Sequence, residues 1–308
     1  MSSLNAMLAA RKYLVLDGAL GTELTRRGEA LDGGLWSAQL LAEKPGVISA
    51  VHRDYLDAGA DIILTSSYQA TLPGLKARGY TNLEAEQLLR SSLLLAKHAR
   101  DEASAAAPGR LVQPIVATSI GPYGAYLADG SEYRGDDGLT VRQLAAFHRP
   151  RIEILAEAGS ELFACETIPS AREAEALLSV LADFPEIDSW LTFSARDGAR
   201  ISDGTPLADC ARMAGQEVSA IGVNCVPAEL ANQLVAVLRN HTSLPIVAYP
   251  NSGELWDAGS QAWLGTAGRQ NFDDVGRGLY QAGAAIIGGC CRTTPRDIEA
   301  VALALAKV

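Results

Sequence analysis

The chain has 308 residues, of which 48% are hydrophobic and 20% are charged, and its formal net charge is −10. It can bury one large core, and it shows neither an export signal nor an apolar run approaching the roughly 18 residues of a membrane span. The acidic charge and the absence of a basic cluster argue against nucleic acid and anionic lipid, so we expect a small-molecule partner, no membrane association and a cytoplasmic location.

Eight short apolar runs, most of them rich in Ile, Val and Leu, predict strands that are buried on both faces. In chain order they are Tyr13–Leu16, Asp61–Leu64, Pro114–Ala117, Glu161–Ala164, Ser189–Phe193, Ala220–Val223, Leu244–Ala248 and Ala284–Ile287. A segment with helical periodicity follows each run; these segments are Gly46–Ala58, Leu83–Ala106, Val141–Ala158, Ala171–Ala182, Pro206–Gln216, Ala228–Arg239, Phe272–Ala282 and Pro295–Lys307. Eight strand-then-helix units predict an α/β protein with a (β/α)8 TIM barrel, a single domain over residues 1–308. A doubly wound open sheet is the alternative.

Active sites of such barrels lie at the carboxyl ends of the strands, where this chain carries polar and reactive side chains. The residues that follow the apolar runs include Asp17, Thr65, Tyr68, Glu166, Cys225, Cys290 and Cys291. We expect these residues to surround one site. The irregular stretches 28–36, 121–140 and 251–271 should form lids or walls over the same face.

Three of the five cysteines stand at predicted strand ends. Thiolates of Cys225, Cys290 and Cys291 could hold a zinc ion and leave its fourth tetrahedral position open for a substrate thiol. Cys165 and Cys210 are expected to be core residues, since cysteine is often buried. A redox dithiol at positions 290 and 291 is less favoured, because adjacent cysteines close only a strained ring and Cys225 would have no role. A phosphate site at the preceding glycine pair is a further alternative.

Several motifs together resemble those of the homocysteine S-methyltransferase family over essentially the whole chain. They are DGALGTE at 17–23, GVNC at 222–225 and GGCCRTTP at 288–295. The segments GPYGAYLADGSEYRG at 121–135 and YPNSGE at 249–254 look more narrowly like the branch that uses S-methylmethionine.

The resemblance implies a zinc-dependent barrel enzyme, with Cys225, Cys290 and Cys291 as the metal ligands. It further implies that Asp17 and Glu166 bind the amino group of homocysteine, and that Gly18 and Thr65 contact the amino acid. Aromatic rings could hold a methyl sulfonium by cation–π attraction. Our candidates for that role are Trp36, Tyr68, Tyr123, Tyr126 and Tyr133.

The expected reaction is methyl transfer from a sulfonium donor, S-methylmethionine or S-adenosylmethionine, to the zinc-bound thiolate of homocysteine, which gives methionine. Three thiolates leave a bound fourth sulfur deprotonated and electron-rich, and an in-line displacement on a sulfonium needs no general base. The alternatives are betaine or another methyl donor on the same fold, and a non-catalytic zinc or thiol redox sensor. The sequence predicts no oligomeric state.

Overall fold

The computed structural model describes residues 3–29, 37–253, 255–257, 262–264 and 269–308. Its strands, in chain order, are β1 (Leu14–Val15), β2 (Ile62–Leu64), β3 (Ile115–Ile120), β4 (Leu162–Ile168), β5 (Asp188–Phe193), β6 (Ala220–Asn224), β7 (Ile246–Tyr249), β8 (Leu255–Asp257), β9 (Ala262–Leu264) and β10 (Ile286–Ile287). Strands β8 and β9 form an antiparallel pair. The other eight form one parallel sheet, and each overlaps one of the eight predicted runs.

The parallel sheet closes on itself. Each strand from β2 to β7 pairs with its neighbour in the chain, and β10 pairs with both β7 and β1. Between β1 and β2 there is a parallel bridge from Leu16 to Ile62, supported by the bond from the Asp17 N–H to the Ile62 carbonyl (3.0 Å). Because an open sheet leaves two strand edges unpaired, this closure confirms the predicted TIM barrel and excludes the open-sheet alternative.

Helices surround the barrel. They are α1 (Ser3–Ala10), α2 (Leu20–Arg26), α3 (Ser37–Glu43), α4 (Pro45–Asp57), α5 (Leu72–Ala77), α6 (Asn82–Ala106), α7 (Tyr123–Leu127), α8 (Val141–Glu157), α9 (Ala171–Leu181), α10 (Leu207–Met213), α11 (Ala228–Arg239), α12 (Phe272–Ala282) and α13 (Pro295–Leu305). All eight predicted helices are present. The largest difference in bounds is at α10, which ends at Met213 because Ala214 takes an extended conformation before Gly215. In the described part of the chain, no helix has both the length and the apolarity that crossing a bilayer demands.

The amino-terminal end of the barrel is closed by α1, a helix that the sequence analysis did not predict. Leu4 and Met7 of this helix are buried in the cluster that fills the barrel interior, together with Leu14 and Trp190. The N–H of Leu4 also donates to Asp188 Oδ2 at 3.0 Å. With this end filled by apolar side chains, the open end of the barrel is the carboxyl end of the strands.

The segment 121–140 between β3 and α8 is more regular than expected. It contains α7 and a 3₁₀ turn at Ser131–Tyr133, so the prediction that it is wholly irregular was wrong. A Cβ at Gly124 would lie 2.3 Å from the Glu132 nitrogen, so only glycine lets α7 pack this closely on the turn. This backbone contact joins two parts of the segment that are eight residues apart, and the periodicity of the sequence does not reveal it.

The start of this segment is tied to the helices behind it. Arg151, buried in α8, donates a hydrogen bond to the Gly121 carbonyl. The N–H of Tyr123 donates to Glu173 Oε1 of α9 at 2.6 Å, and the same oxygen lies 2.8 Å from His148 Nε2. A buried polar cluster therefore fixes where the segment begins.

Candidate active site at the carboxyl ends of the strands

The structure brings Cys225, Cys290 and Cys291 together. Their sulfur atoms all lie within 4.8 Å of one another, and the Sγ atoms of Cys225 and Cys291 are 3.4 Å apart. Cys225 directly follows β6, while the other two follow β10 after a pair of glycines. Cys225 is buried, whereas Cys290 and Cys291 are partly exposed. The cluster is thus held in the barrel wall with one side facing the open end.

The end of β7 positions both cysteine segments. The N–H of Cys225 donates to the Tyr249 carbonyl (3.2 Å), and the N–H of Cys290 donates to the Pro250 carbonyl (2.7 Å). Close strand packing needs glycine at Gly222, where a Cβ would lie 1.8 Å from the Val247 carbonyl oxygen. The motifs at 222–225 and 288–295 therefore supply the glycines that let neighbouring strands pack closely, as well as the thiols.

The three sulfurs suit a tetrahedral metal. With Zn–S bonds of about 2.3 Å, tetrahedral geometry places sulfurs about 3.8 Å apart, close to the separation found here. Hydrogen bonds donated by the Cys290 and Cys291 thiols hold the pKa of Cys225 well below its usual value, and the same interactions raise the pKa of Cys290. The three thiols thus oppose one another's ionisation, and a divalent cation would allow all three to ionise. The donor set, three thiolates, is one that zinc prefers.

The other two cysteines belong to the core between strands and helices, as predicted. Cys165 and Cys210 are 0% and 1% exposed, and burial raises the pKa of each thiol to about 12. Among the described residues, neither belongs to the group of three cysteines that could hold a metal ion.

Asp17 offers an unsatisfied carboxylate oxygen at the end of β1. The residue is 3% exposed, and its Oδ2 accepts a hydrogen bond from the Leu64 N–H at 2.8 Å. Its Oδ1 is buried and has no hydrogen-bond partner. Burial raises the pKa of Asp17 well above its ordinary value, and the negative charge of Glu166 raises it further. Buried carboxylates are normally paired, so this oxygen is suited to a cationic ligand.

Glu166 lies in β4 and points into the barrel mouth, whereas its neighbour Cys165 points outward, as strand alternation requires. Its Oε1 accepts from the Ser119 hydroxyl and its Oε2 accepts from the Tyr249 hydroxyl at 3.0 Å. Burial raises the pKa of Glu166 to about 7, against the opposing effect of these two hydrogen bonds. Two fixed donors therefore hold the carboxylate in one orientation.

Gly18 and Thr65 frame the site. Thr65 Oγ1 accepts from the Ser119 N–H (3.0 Å) and lies 2.6 Å from Ser67 Oγ, which joins the ends of β2 and β3. A Cβ at Gly18 would lie 2.8 Å from Thr293 Oγ1 and 2.9 Å from the Tyr55 ring, so only glycine fits at this position.

The aromatic candidates fall into three groups. The Tyr133 hydroxyl lies 3.1 Å from Cys225 Sγ, and the pKa of Tyr68 is raised by burial and then by the negative charges of Glu132 and Cys225, so both rings lie near the sulfur cluster. Tyr123 and Tyr126 instead pack on Phe147, with ring centroids 4.9 and 5.4 Å from it. Trp36 lies outside the described residues.

The sequence analysis gave no role to Asn224, an amide at a predicted strand end that connects two strands. Asn224 is 0% exposed; its Oδ1 accepts from the Thr167 N–H (2.7 Å), and its Nδ2 donates to Thr167 Oγ1 (2.8 Å). Both Thr167 (φ 61°) and Cys225 (φ 56°) are non-glycine residues in the left-handed region, a strain that clusters at functional sites. The signals for Asn224 in the sequence were its place after the run Ala220–Val223 and its membership of the GVNC motif.

A buried glutamate on the segment 121–140 was also overlooked. Glu132 is 9% exposed, and its Oε2 has no hydrogen-bond partner. Its burial depends on the contact with Gly124, which periodicity does not show.

Comparisons with known proteins agree on one family. The sequence profile described as homocysteine S-methyltransferase matches residues 14–305. Homocysteine S-methyltransferase YbgG of Bacillus subtilis is 46% identical over 306 residues, covering 98% of this chain and 97% of the relative. Homocysteine S-methyltransferase of Escherichia coli is 47% identical over 304 residues, covering 97% of each. The crystal structure of the homocysteine methyltransferase MmuM from Escherichia coli in its metallated form superimposes with a TM-score of 0.89 at 44% identity, covering 98% of this chain and 99% of that one.

Proposed function

Because the chain belongs to the homocysteine S-methyltransferase family, we propose that it transfers a methyl group from a sulfonium donor to the thiol of homocysteine and so makes methionine. The observation that carries this proposal is the group of three sulfurs at the barrel mouth together with the unpaired carboxylate oxygen of Asp17, a residue whose carbonyl accepts from the N–H of Gly289, next to Cys290, at 3.0 Å. The sulfur cluster, with a metal bound, suits the thiol of homocysteine, and the Asp17 carboxylate suits the ammonium of the same amino acid.

Cys225, Cys290 and Cys291 are the proposed ligands of a zinc ion. When bound, zinc supplies a fourth coordination position that keeps the homocysteine sulfur deprotonated at neutral pH. Partial exposure of Cys290 and Cys291 gives a ligand access to that position. The five free thiols fit a reducing compartment, and we propose the cytoplasm.

Asp17 and Glu166 are the proposed binding groups for the homocysteine ammonium. Asp17 is oriented by the Leu64 N–H, while Glu166 is oriented by Ser119 and Tyr249. Burial and then repulsion by Glu166 raise the pKa of Asp17, and an ammonium would counter both effects. Oriented acceptors of this kind align the acceptor sulfur without further rearrangement.

S-methylmethionine is the proposed donor, with Tyr68 and Tyr133 as the rings that face its sulfonium. Each ring contributes about 0.5–2 kcal/mol of cation–π attraction where water is excluded. Methyl transfer forms a carbon–sulfur bond to homocysteine as the donor's carbon–sulfur bond breaks, and the positive charge disappears. No proton has to move, so the residues act by alignment and exclusion of water.

The test is methionine formation by reduced, zinc-loaded protein with homocysteine and, separately, S-methylmethionine, S-adenosylmethionine, betaine or methyltetrahydrofolate. We expect turnover with S-methylmethionine. Turnover with betaine or the folate alone would overturn the donor assignment, and one zinc per chain without methionine would favour a non-catalytic thiol protein.

The metal ligands are tested by zinc content, independently of activity. Cys291→Ala should lose zinc and activity together. Cys210→Ala is the matched control, because this cysteine is buried in the outer core, and it should keep one zinc per chain. A Cys291→Ala protein that retains stoichiometric zinc contradicts the ligand assignment.

A further inference from the structure

We propose that Glu132 binds the positive charge of the methyl donor and thereby sets the enzyme's affinity for a cationic donor. The inference rests on the proposed function and assigns to the donor a carboxylate distinct from Asp17 and Glu166. Its basis is the position and the unmet bonding capacity of one side chain.

Glu132 has a fixed backbone and an unpartnered carboxylate oxygen. It lies in the 3₁₀ turn Ser131–Tyr133, which packs against Gly124, and its carbonyl accepts from the Ser194 hydroxyl at 3.1 Å. The side chain is nine-tenths buried, yet Oε2 has no hydrogen-bond partner, and no described lysine or arginine lies within 4 Å of the carboxylate. Burying a carboxylate oxygen without a hydrogen-bond partner costs several kcal/mol, and the half-exposed Arg134, which lies beyond 4 Å, offsets that cost only in part. This position therefore favours a further cation.

The turn that carries Glu132 lies beside the sulfur cluster. The next residue, Tyr133, reaches Cys225 Sγ with its hydroxyl at 3.1 Å. Glu132 therefore shares a 3₁₀ turn with one of the two rings proposed for the sulfonium. The pKa values agree with this placement: burial and then the charge of Cys225 raise the pKa of Glu132, and burial and then the charge of Glu132 raise that of Tyr68. Glu132 belongs to the segment after β3, whereas Asp17 and Glu166 stand at the ends of β1 and β4.

The charges of the two substrates suit a third carboxylate. Homocysteine has one ammonium, for which Asp17 and Glu166 already provide two acceptors. An amino-acid sulfonium has two positive charges and one negative charge, so it enters the site as a net cation. A carboxylate on the donor side neutralises that charge, as cation recognition in a desolvated pocket requires.

The predicted kinetic effect is on donor binding. The sulfonium charge vanishes during methyl transfer, so a nearby carboxylate favours the bound donor at least as strongly as the transition state. Loss of the carboxylate should therefore raise the KM for the donor with little decrease in kcat. Loss of a structural group would instead lower stability and disturb both substrates.

The experiment compares Glu132→Gln with Asp136→Asn, which removes one negative charge from an exposed carboxylate of the same segment. Methionine formation is measured by wild type and both variants, with S-methylmethionine and homocysteine varied in turn. For Glu132→Gln we expect a rise of about 10- to 150-fold in the KM for S-methylmethionine, the effect of a hydrogen bond to a charged group. We expect less than about twofold change in the KM for homocysteine and no loss of thermal stability. Asp136→Asn should match wild type.

Three results would overturn the inference: an unchanged donor KM, a raised homocysteine KM, or a Glu132→Gln protein that fails to fold. The third would make the carboxylate a structural group. Inactivity of the wild type with every sulfonium is seen before any variant is compared, and it overturns the proposed function itself.

Discussion

Replacement of Asp17 by asparagine should weaken homocysteine binding far more than the exchange of one oxygen suggests. The Leu64 N–H needs an acceptor, so the asparagine oxygen must occupy the position of Oδ2. The amide nitrogen then takes the position of Oδ1, the buried oxygen without a partner. A hydrogen-bond donor would thus face the ammonium, where wild type has an acceptor.

The loss can be estimated from the interaction removed. A hydrogen bond to a charged group contributes about 1.5–3 kcal/mol, which corresponds to about 10- to 150-fold in KM. The kcat should change by only a few-fold, since the three cysteines and the donor site are unaltered. Repulsion between Asp17 and Glu166 also disappears, which should leave the folded state at least as stable.

The assay is steady-state methionine formation with each substrate varied at a saturating level of the other. Asp57→Asn provides a control, because it removes one charge from an exposed carboxylate in α4. An Asp17→Asn enzyme with wild-type KM for homocysteine, or with a raised KM for the donor alone, would refute the assignment of Asp17 to the acceptor ammonium.

Three further predictions concern single residues. Burial lowers the pKa of His52 to about 4 from 6.5. Below pH 6.5 the unfolded chain therefore binds more protons than the folded chain does. The stability that neutral His52 confers is present above that pH and is lost as the pH falls toward 4. Between pH 7 and pH 5, the free energy of unfolding measured by urea titration should therefore fall by about 2 kcal/mol less in His52→Leu than in wild type. Identical pH profiles of wild type and variant would contradict the assigned cause. Gly124→Ala should displace the turn that carries Glu132, raise the donor KM and cost about 1–3 kcal/mol, whereas Gly46→Ala, which has open space, should do neither. Tyr133→Phe removes a hydrogen bond that lowers the pKa of Cys225, so the pH at which half the zinc is released should rise; a fall in that pH would refute the direction.

The barrel was predictable because its signals are local. Each strand is a continuous apolar run, and each carries its polar residues at the carboxyl end, so chain order alone placed Asp17, Glu166 and the three cysteines at one face. Helix α1 was not predicted, because it is stabilised by packing into the amino-terminal end of the barrel, and that cavity exists only in the folded protein.

The parts of the site that were missed depend on contacts across the fold. Glu132 resembles a solvated loop carboxylate until Gly124 is seen to lie against its backbone. Asn224 matters because it reaches Thr167 on another strand, and the contact of Tyr123 with Phe147 of α8 is likewise formed only in the fold. Motifs identify which residue types are present, while the partners of each side chain follow only from tertiary packing.

The site divides into a half built on strands and a half built on the segment after β3. In the strand half, Asn224 joins Thr167 to the strand of Cys225, and it accepts from Thr192 Oγ1 at 2.9 Å. The Tyr249 hydroxyl lies 2.8 Å from the same Thr192 oxygen and donates to Glu166 at 3.0 Å, so the strand of Cys225 and the Glu166 carboxylate share one hydrogen-bonded layer. Such a layer holds left-handed residues in place and resists small displacements. The donor half depends instead on how one turn packs on α7. We therefore expect substitutions in the segment 121–135 to change the choice of donor while the affinity for homocysteine is preserved, and substitutions in the layer to affect homocysteine first.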